Sequence, residues 1–423
     1  MRKMKDSGVE WVGEIPEHWE VHKIKNNFKI ISGSGFDIRL QGNSSGEIPI
    51  CKASDISKAG HYLTSSENYL SYSQSIANGF KIIPKGSILF AKIGEAMRKN
   101  RRTLTCVQCG ADNNCQAIVP NNIISNYSYY IMLCVDISLF DNNGTIPCIN
   151  NSKFKNSKFP YPPIEEQEKI SAYLDEKCGY IDNIISGLKK QTDLLAEYKK
   201  ALITETVTKG LNKDVKMKDS GIEWIGKMPA HWQMKKLKYI AELSPHCDFS
   251  KISAETEIEY LPMEYIKNGY YIHNSGKYSE VPDSLTPFES GDIVFAKVTP
   301  CFENGNIAIM NNIGVGSSEL YVIRPYAINR MFIFFWLQNS GFIHKAVYSM
   351  TGMGGLKRVP SQFINNLPVL LPPAEEQEKI STYLDEKCKT IDKIISDKKR
   401  QIQTIEDYKK SLIYEVVTGK KEI

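Results

Sequence analysis

The sequence predicts an α+β fold in which two mixed α/β domains are each followed by a long α-helix. The two helices are expected to pair as an antiparallel coiled coil with pseudo-twofold symmetry. Three observations predict this fold. The chain contains an internal duplication, each half carries a seven-residue apolar repeat, and the rest of each half consists of short strand-like segments. With 423 residues the chain is long enough for two or three domains, each with its own core.

Composition narrows the classes of function. Hydrophobic residues make up 42% and charged residues 24% of the chain, which is typical of a folded protein. Lys and Arg number 53 against 48 Asp and Glu, a mild excess that permits a polyanionic partner without requiring one. No run of about eighteen apolar residues and no apolar signal core are present. We therefore expect a cytoplasmic protein with no membrane partner, whose ten cysteines are reduced thiols.

The duplication is the strongest signal in the sequence. Residues 4–25 return at 217–238 with 13 of 22 positions identical, and residues 162–186 return at 372–396 with 20 of 25 identical. The offsets of the two blocks are 213 and 210 residues. Between the blocks the identity falls away. This pattern indicates a shared scaffold that carries two different variable modules, and the alternative is neutral drift after the duplication.

A long helix is predicted to begin in each copy of the second block. The Pro-Pro pairs at 162–163 and 372–373 precede the run Glu-Glu-Gln-Glu, and acidic residues favour the N-terminal end of a helix. Each helix is expected to extend for about 40 residues, or roughly 60 Å, and to end near Gly210 and Gly419.

The seven-residue repeat defines the face along which the helices would pair. The predicted seam consists of Leu174, Ile181, Leu188, Leu195 and Leu202 in the first helix and Leu384, Ile391, Ile405 and Leu412 in the second. Intermediate positions are assigned to Ile184, Tyr198, Ile394 and Tyr408, and Lys398 interrupts the repeat. So narrow an apolar stripe needs a partner helix. The alternative is that each helix packs onto its own domain.

The modules between the scaffold blocks contain short runs of Ile, Val, Phe and Tyr separated by turn residues. Residues 82–90 and 290–295 predict turns that lead into buried strands, and residues 329–340 predict a buried helix. Each module is therefore predicted to be a mixed α/β domain.

Candidate residues for contact with a polyanion lie in loop-like stretches of these modules. Residues 81–102 hold seven basic residues and one acid, which could bind phosphates or form a solvated loop. In the second module the candidates lie near Gly305, Gly352, Gly354 and Gly355, which permit close approach of a ligand or simply form turns. The candidate residues for binding a polyanion, with DNA among the possible partners, are Lys92, Arg98, Lys99, Arg101, Arg102, Lys297, Asn304, Lys357 and Arg358.

No catalytic motif accompanies these residues. The Pro-Pro pairs lack the flanking residues of an amino-methyltransferase motif, and neither a dinucleotide loop nor a phosphate loop is present. Cys106 and Cys109 with Cys115 could begin a zinc site, but a second ligand pair is missing and no metal is predicted. His18 and His231 recur beside tryptophans with no recognisable nucleophile or carboxylate, so we interpret them as structural. No catalytic residue is assigned, and the chain is expected not to be an enzyme.

The repeated Glu-Glu-Gln-Glu helices, the Trp-x-Gly-x-x-Pro-x-x-Trp openings and the half-chain duplication resemble the specificity subunit of a Type I restriction-modification system. The resemblance covers essentially the whole chain and implies four segments. These are target recognition domains at 1–160 and 213–370 and conserved spacer helices at 161–212 and 371–423.

The resemblance also implies a function and partners. Each domain would read one half of a split, asymmetric target in double-stranded DNA, and the helices would set the gap between the halves. The implied partners are two methyltransferase subunits, which use S-adenosylmethionine to methylate adenine, and restriction subunits, which use ATP and Mg²⁺. No cofactor would bind this chain itself. The acidic helix starts, Glu165, Glu166, Glu375 and Glu376, are expected in solvent or at the methyltransferase interface.

An alternative from another class is a coiled-coil scaffold protein that joins other proteins without binding DNA. Strong salt dependence of DNA binding would argue against a scaffold. A fused modification enzyme is disfavoured by the missing methyltransferase motif.

Overall fold

The chain forms two compact units, as seen in a computed structural model that describes residues 2–250, 252–280, 285–352 and 356–423. Unit 1 comprises Met1–Leu188 and Arg400–Ile423, and unit 2 comprises Lys189–Lys399. Each unit therefore holds one α+β domain together with part of each long helix. The predicted fold class is confirmed. The boundary between the units falls near the middle of each long helix, whereas the four predicted segments assign each helix to one segment.

The domain of unit 1 is built from short elements. Its strands are β1 (Met4–Asp6), β2 (Glu14–Pro16), β3 (Glu20–Lys23), β4 (Phe28–Ser32), β5 (Ile48–Cys51), β6 (Tyr62–Leu63), β7 (Tyr69–Leu70), β8 (Ile88–Ala91), β9 (Arg102–Thr105), β10 (Gly110–Ala111), β11 (Cys115–Pro120) and β12 (Lys158–Tyr161). Its helices are α1 (Ile24–Asn27), α2 (Ala53–Ala59), α3 (Tyr72–Ala77), α4 (Glu95–Arg98), α5 (Ser125–Cys134) and α6 (Asn151–Asn156), with 3-10 turns at Ile38–Leu40 and Ile137–Phe140. The first long helix, α7 (Ile164–Lys209), follows.

The domain of unit 2 repeats this plan. Its strands are β13 (Met217–Asp219), β14 (Lys227–Pro229), β15 (Gln233–Lys236), β16 (Ala241–Leu243), β17 (Glu257–Leu261), β18 (Ser275–Lys277), β19 (Thr286–Phe288), β20 (Ile293–Ala296), β21 (Ile307–Ile309), β22 (Gly314–Gly316), β23 (Leu320–Pro325) and β24 (Pro368–Leu371). Its helices are α8 (Arg330–Trp336), α9 (Ser340–Ser349) and α10 (Ser361–Asn365), with 3-10 turns at Leu237–Tyr239, Met263–Tyr265 and Tyr278–Glu280. The second long helix is α11 (Ala374–Val417).

The main sheets of the two units share four strands in the same order, and unit 1 adds a fifth strand, β6, at the edge. The order β4-β11-β8-β9-β6 in unit 1 matches β16-β23-β20-β21 in unit 2. A second sheet has the order β10-β5-β7 in unit 1 and β18-β17-β22-β19 in unit 2. The antiparallel pairs β3–β12 and β15–β24 join the start of each domain to the strand that precedes its long helix. The duplication is therefore preserved in the topology even where the sequences have diverged.

The local predictions in the modules hold, with one boundary change. The strands β8 and β20 are buried along their whole length and follow turns at Gly86 and Gly291, whose φ angles are 83° and 91°. Glycine adopts this left-handed conformation without a steric penalty. The helix predicted at 329–340 is α8, which is buried but ends at Trp336, because Asn339 caps a new helix, α9.

The long helices are longer than expected, with 46 residues in α7 and 44 in α11. They end where predicted, since Gly210 and Gly419 follow their last turns with φ angles of 77° and 72°. A glycine in this conformation commonly terminates a helix.

The first turn of α7 is fixed to the domain that precedes it by Glu166. The indole N–H of Trp19 donates a hydrogen bond of 3.0 Å to Glu166 Oε2, and His18 Nε2 lies 2.5 Å from Glu166 Oε1. Arg2 forms an ion pair with the same carboxylate. Burial alone would raise the pKa of Glu166, but the hydrogen bonds from His18, Arg2 and Trp19 outweigh burial and lower the pKa below its usual value.

The same contact recurs at the start of α11. The indole N–H of Trp232 donates to Glu376 Oε2 at 2.9 Å, and His231 Nε2 lies 2.7 Å from Glu376 Oε1. Glu166 and Glu376 therefore bind their own domains and are partly exposed, while Glu165 and Glu375 are exposed as expected. The contact with a methyltransferase subunit stays a prediction. The carboxylate beside each histidine was not predicted, because it lies about 145 residues away along the chain.

The glutamine of the same motif forms a second contact. Gln167 Oε1 accepts from the backbone N–H of Ile124 at 2.9 Å, and Gln377 Oε1 accepts from that of Asn329 at 2.8 Å. Both side-chain amides donate to the carbonyl of the first proline of the preceding Pro-Pro pair. The repeated Glu-Glu-Gln-Glu run is thus a domain anchor. We call the Glu–Trp–His and Gln contacts together the helix clamp.

The long helices pack antiparallel. In unit 2, Lys199 Nζ donates to Asp392 at 2.7 Å and Lys398 Nζ donates to Gln191 at 2.6 Å, so residue numbers fall along α11 as they rise along α7. In unit 1, Lys409 Nζ pairs with Asp182 at 2.7 Å. The repeat offset of 210 residues converts the Lys199–Asp392 pair into the Lys409–Asp182 pair with the helices exchanged.

The apolar cores include both helices together with the domain. In unit 1, Leu174 and Ile181 of α7 and Leu412 of α11 lie in one buried cluster with Trp19. In unit 2, Ile203 of α7 and Leu384 of α11 share a cluster with the second domain. Each helix therefore packs both onto a domain and against the other helix, so the two alternatives from the sequence are combined.

The predicted seam residues lie on the buried side of the helices, but the intermediate positions are wrong. Leu174, Ile181, Leu384, Ile391 and Leu412 are buried, and Leu188, Leu195, Leu202 and Ile405 are partly buried. By contrast, Ile184, Tyr198, Ile394 and Tyr408 are exposed.

The second row of the seam lies four residues after each predicted position, at Cys178, Ile185, Thr192 and Lys199 in α7. A heptad seam alternates spacings of three and four residues. The sequence has isoleucine at both 184 and 185, so hydrophobicity alone could not choose the spacing.

This register predicts opposite effects for two adjacent isoleucines. Replacement of Ile185, which is 7% exposed, by alanine should lower the stability of unit 1 by about 2–4 kcal/mol, because it leaves a cavity in the seam. The matched control Ile184→Ala, at a side chain 52% exposed, should change stability by less than about 0.5 kcal/mol. Thermal unfolding measures both effects, and equal losses would contradict the register.

Candidate nucleic-acid interface

Equivalent loops follow the buried central strand in each unit. In unit 1, Lys92 comes directly after β8, and its carbonyl accepts from the backbone N–H of Ile149 at 3.0 Å. In unit 2, Lys297 comes directly after β20, and its carbonyl accepts from the N–H of Val359 at 2.9 Å. The hydrogen bonds hold the loop after the strand against the segment before α6 or α10.

These contacts define the loop pair of each unit, which consists of residues 92–102 and 141–149 in unit 1 and residues 297–306 and 356–359 in unit 2. A bridge joins Ile93 to Cys148 in unit 1, and a corresponding bridge joins Val298 to Arg358 in unit 2. The loop pair is a shared backbone framework whose side chains differ between the units.

In unit 2, the loop pair brings together three of the predicted DNA-binding residues. The backbone N–H of Thr299 donates to the carbonyl of Lys357 at 3.1 Å, beside Lys297 and Arg358. The ammonium group of Lys297 lies 5.4 Å from the centroid of the Tyr321 ring. Lys357 is exposed. Three basic side chains thus project from one small framework.

An acidic side chain moderates this charge. The guanidinium of Arg358 donates two hydrogen bonds, of 2.8 and 2.5 Å, to Glu319. These bonds lower the pKa of Glu319 below its usual value, so the carboxylate is ionised at neutral pH and offsets the charge of Arg358. Arg358 is therefore held in a defined orientation, which suits a positioned contact better than a freely moving charge.

Asn304 lies at the end of the same loop. It is exposed and lines a cavity of about 560 Å³ that is also bordered by Lys199, His344 and Asp392. The cavity lies where the second domain meets the long helices. Asn304 is therefore next to the helix seam, whereas Lys357 and Arg358 lie on the other loop.

In unit 1, the basic residues lie in and after α4. Arg98 is exposed and pairs with Glu95 at 2.8 Å, one turn earlier in the helix. Lys99 and Arg101 are exposed and form no ion pair within the residues that the structure describes. These three side chains are available to a polyanion.

Arg102 corrects the sequence analysis. Its side chain is 3% exposed, it begins the strand β9 next to β8, and its guanidinium donates to the carbonyls of Asn100 and Val135. Burial lowers the pKa of Arg102 to about 10, which still leaves it charged at neutral pH. Arg102 therefore holds the loop from inside the domain and is not placed to contact DNA. The basic run alternates exposed and buried positions at this point, which the count of charges did not reveal.

The remaining sequence features concern the cysteines, the loop glycines, metal binding and membrane spans. Cys109 and Cys115 are buried in an apolar cluster with Cys51, and Cys106 is partly exposed. Among the described residues no group of three or more His, Cys, Asp or Glu side chains could hold a metal ion. Of the predicted loop glycines, Gly354 and Gly355 lie outside the described residues. Within the described part of the chain, no helix has the length and apolar character needed to span a membrane.

Sequence reasoning missed the helix clamp and the buried role of Arg102. The signal for the clamp was present, because the His-Trp pair and the Glu-Glu-Gln-Glu run recur together in both halves. Two motifs that are duplicated together and lie far apart in sequence are candidates for direct contact.

The fold and the repeated loop pair define a chain of two equivalent α+β units that share a pair of long helices. The chain belongs to the Type I restriction modification DNA specificity domain family, whose profile matches residues 16–192 and 229–404. The resemblance inferred from the sequence is confirmed.

Two relatives of this chain differ in sequence identity and in the share of the chain that aligns with them. The chain is 40% identical over 162 residues to the Type I restriction enzyme EcoAI specificity subunit of Escherichia coli, an alignment that covers 36% of this chain and 27% of the relative. It is 25% identical over 442 residues to the Type I restriction enzyme MjaVIII specificity subunit of Methanocaldococcus jannaschii, covering 96% of this chain and 93% of the relative. The chain thus spans about a quarter of the length of the first relative and nearly all of the second.

A solved structure has the same fold. The chain superposes with a TM-score of 0.68 on a chain from work on the structural basis of complex assembly and conformational transition of the type I R-M system. The superposition covers 95% of this chain and 98% of the other, with 13% sequence identity. At this identity the likeness concerns the fold alone.

Arg101 is exposed and Arg102 is buried, so we expect replacement of Arg101 to affect DNA binding and replacement of Arg102 to affect stability. Arg102→Ala should lower the stability of unit 1 by more than about 2 kcal/mol, because it leaves buried carbonyl groups without donors. The matched variant Arg101→Ala should leave the melting temperature unchanged and weaken binding to duplex DNA. Loss of DNA affinity without loss of stability in Arg102→Ala would contradict this assignment.

Proposed function

We propose that this chain is the sequence-specific DNA-binding subunit of a Type I restriction-modification complex, in which each unit reads one half of a bipartite target. The observation that carries the proposal is the repeated loop pair. Two copies of one framework, each on its own clamped domain, present different side chains to the solvent. Family membership adds support, and the chain itself is proposed to be non-catalytic.

The proposed target is asymmetric. At one matching framework position unit 1 has the partly exposed Cys148, whereas unit 2 has the exposed Arg358. Identical readers on a symmetric scaffold would favour a palindromic target. Readers with different side chains would select a different sequence in each half.

The basic loop residues would supply mainly phosphate contacts. Lysine and arginine side chains that neutralise phosphates give affinity and register without carrying sequence information. Arg358 is the best candidate for a directed base contact, because its guanidinium is oriented by Glu319 and arginine can bind guanine through two hydrogen bonds. The phosphate contacts are assigned to Lys99, Arg101 and Lys357.

The proposed partners are two methyltransferase subunits and the restriction subunits, with double-stranded DNA as the ligand. S-adenosylmethionine, ATP and Mg²⁺ would be bound by those partners and not by this chain, and the complex would act in the cytoplasm. The long helices offer a docking surface in support. Exposed apolar side chains recur on α7 at Tyr180, Ile184, Leu194 and Tyr198. All four side chains are more than half exposed, and exposed apolar surface is a common feature of protein-interaction sites.

A coiled-coil scaffold without DNA binding is the competing function. The helix seam fits both functions, but a scaffold gives no reason for two copies of a basic loop framework. Strong salt dependence of DNA binding by the assembled complex favours the DNA-reading function.

Domain exchange tests the assignment of units to half-sites. If residues 1–160 are replaced by the same domain of a relative, one half of the methylated target should change and the other half should stay the same. The reciprocal exchange of residues 213–370 is the control and should change only the other half. Sequencing of methylated DNA reads both outcomes, and a change in both halves, or in neither, would refute the assignment.

A further inference from the structure

A cluster of lysines lies on unit 1 outside the residues discussed so far. It spans β3, α1 and β4 at the start of the domain and α6 and β12 at its end. We call it the lysine face, and it consists of Lys23, Lys25, Lys29, Lys153, Lys155 and Lys158. Five of these side chains are exposed, and Lys23 is partly exposed.

The fold brings the two groups of lysines together. In the antiparallel pair β3–β12, Lys158 lies directly opposite Lys23. The backbone N–H of Ile24 at the start of α1 donates to Ser157 just before β12 at 2.9 Å, and α1 packs against α6. Like charges directly opposite each other in a β-ladder lower stability. Because this repulsion lowers the stability of the free protein, the arrangement suggests an anionic ligand that neutralises the lysine charges.

The neighbouring acids do not neutralise the lysine face. Glu20 lies 2.8 Å from His22 in an ion-pair geometry, and Glu95 pairs with Arg98. Asp136 and Asp141 accept hydrogen bonds from backbone N–H groups of their own loops. Within the described residues none of the six lysines takes part in an ion pair.

The lysine face adjoins the loop pair of unit 1. The helix α4 packs against the 3-10 turn Ile137–Phe140, which in turn packs against α6. Phe154 on the inner side of α6 contacts Phe90 of β8 and Phe140, with ring centroids 5.8 and 5.4 Å apart. Packed elements therefore lead from Arg98 and Lys99 to the lysine face.

Unit 2 does not repeat this cluster. At the repeat offset of 213 residues, Lys236 and Lys238 replace Lys23 and Lys25, but Glu242 replaces Lys29. At the offset of 210 residues, the positions of Lys153, Lys155 and Lys158 hold Phe363, Asn365 and Pro368. The charge therefore does not belong to the shared scaffold.

We infer that the lysine face binds the phosphate backbone of duplex DNA beside the half-site read by unit 1, in a contact that does not depend on sequence. This inference rests on the proposed function. Duplex DNA is the favoured occupant because six unpaired lysines lie next to the basic loop pair, and a continuous basic surface is the footprint of a polyanion. The contact would be one-sided, so the complex would hold the DNA more strongly at the end bound by unit 1.

The test uses the full chain assembled with its methyltransferase subunits. The variant carries Lys23→Gln, Lys153→Gln and Lys158→Gln, and the matched control carries Lys235→Gln, Lys236→Gln and Lys238→Gln in unit 2. DNA affinity is measured over a range of salt concentrations on a duplex with the target and on one without it. Melting temperatures establish that both variants fold.

Each lost phosphate contact lowers the slope of log affinity against log salt by about 0.9. The slope of the unit 1 variant should therefore fall by up to about 2.7, with similar loss on target and non-target DNA and an unchanged methylated sequence. In the control variant, the slope should fall by less than half of this amount.

Three results would overturn the inference. These are an unchanged slope in the unit 1 variant, an equal loss in the control, and loss of the methyltransferase subunits from the purified variant, which would make the lysine face a protein interface. Failure of the proposed function can be distinguished from failure of this inference. If the proposed function were wrong, the complex without any substitution would show no preference for any DNA target.

Discussion

The helix seam is the constraint on which the rest of the structure depends. An apolar stripe on helices of 46 and 44 residues is not stable in water, so it must be covered along its length. Because the helices are antiparallel, the end of each one reaches the domain that precedes the other. Leu412 of α11 is thus buried in the same core as Trp19 of unit 1, and Ile203 of α7 is buried with Trp232 of unit 2. Each domain completes its core with a helix that belongs to the other half of the duplication.

The helix clamp adds a polar constraint to this apolar one. Glu166 and Glu376 each bind the Trp-His pair of the preceding domain, so the first turn of each long helix has a fixed position on that domain. These contacts involve residues that the duplication has kept identical. The loop pairs keep the same backbone hydrogen bonds but differ in side chains, as Cys148 and Arg358 illustrate. A conserved framework and variable side chains are what a modular reader of DNA requires, because the target can change without loss of the fold.

The sequence was sufficient for the duplication, the class of fold, the ends of the long helices and the buried strands β8 and β20, since these depend on local periodicity and turn chemistry. It was insufficient where a result depends on contacts between distant residues. Adjacent isoleucines at 184 and 185 left the seam spacing undecided. Arg102 looked like a surface charge because one of its acceptors, the carbonyl of Val135, lies 33 residues further along the chain. The lysine face was missed for the same reason, since its two halves are more than a hundred residues apart in sequence.

The proposal that the two units select the DNA target is tested most directly by expressing this chain with its methyltransferase subunit in a host without other DNA methylation and mapping the modified bases of the genome. We expect a split, asymmetric motif methylated on adenine that is absent when this chain is omitted. A soluble complex that leaves the genome unmodified, or a motif that persists without this chain, would contradict the claim that the two units select the target.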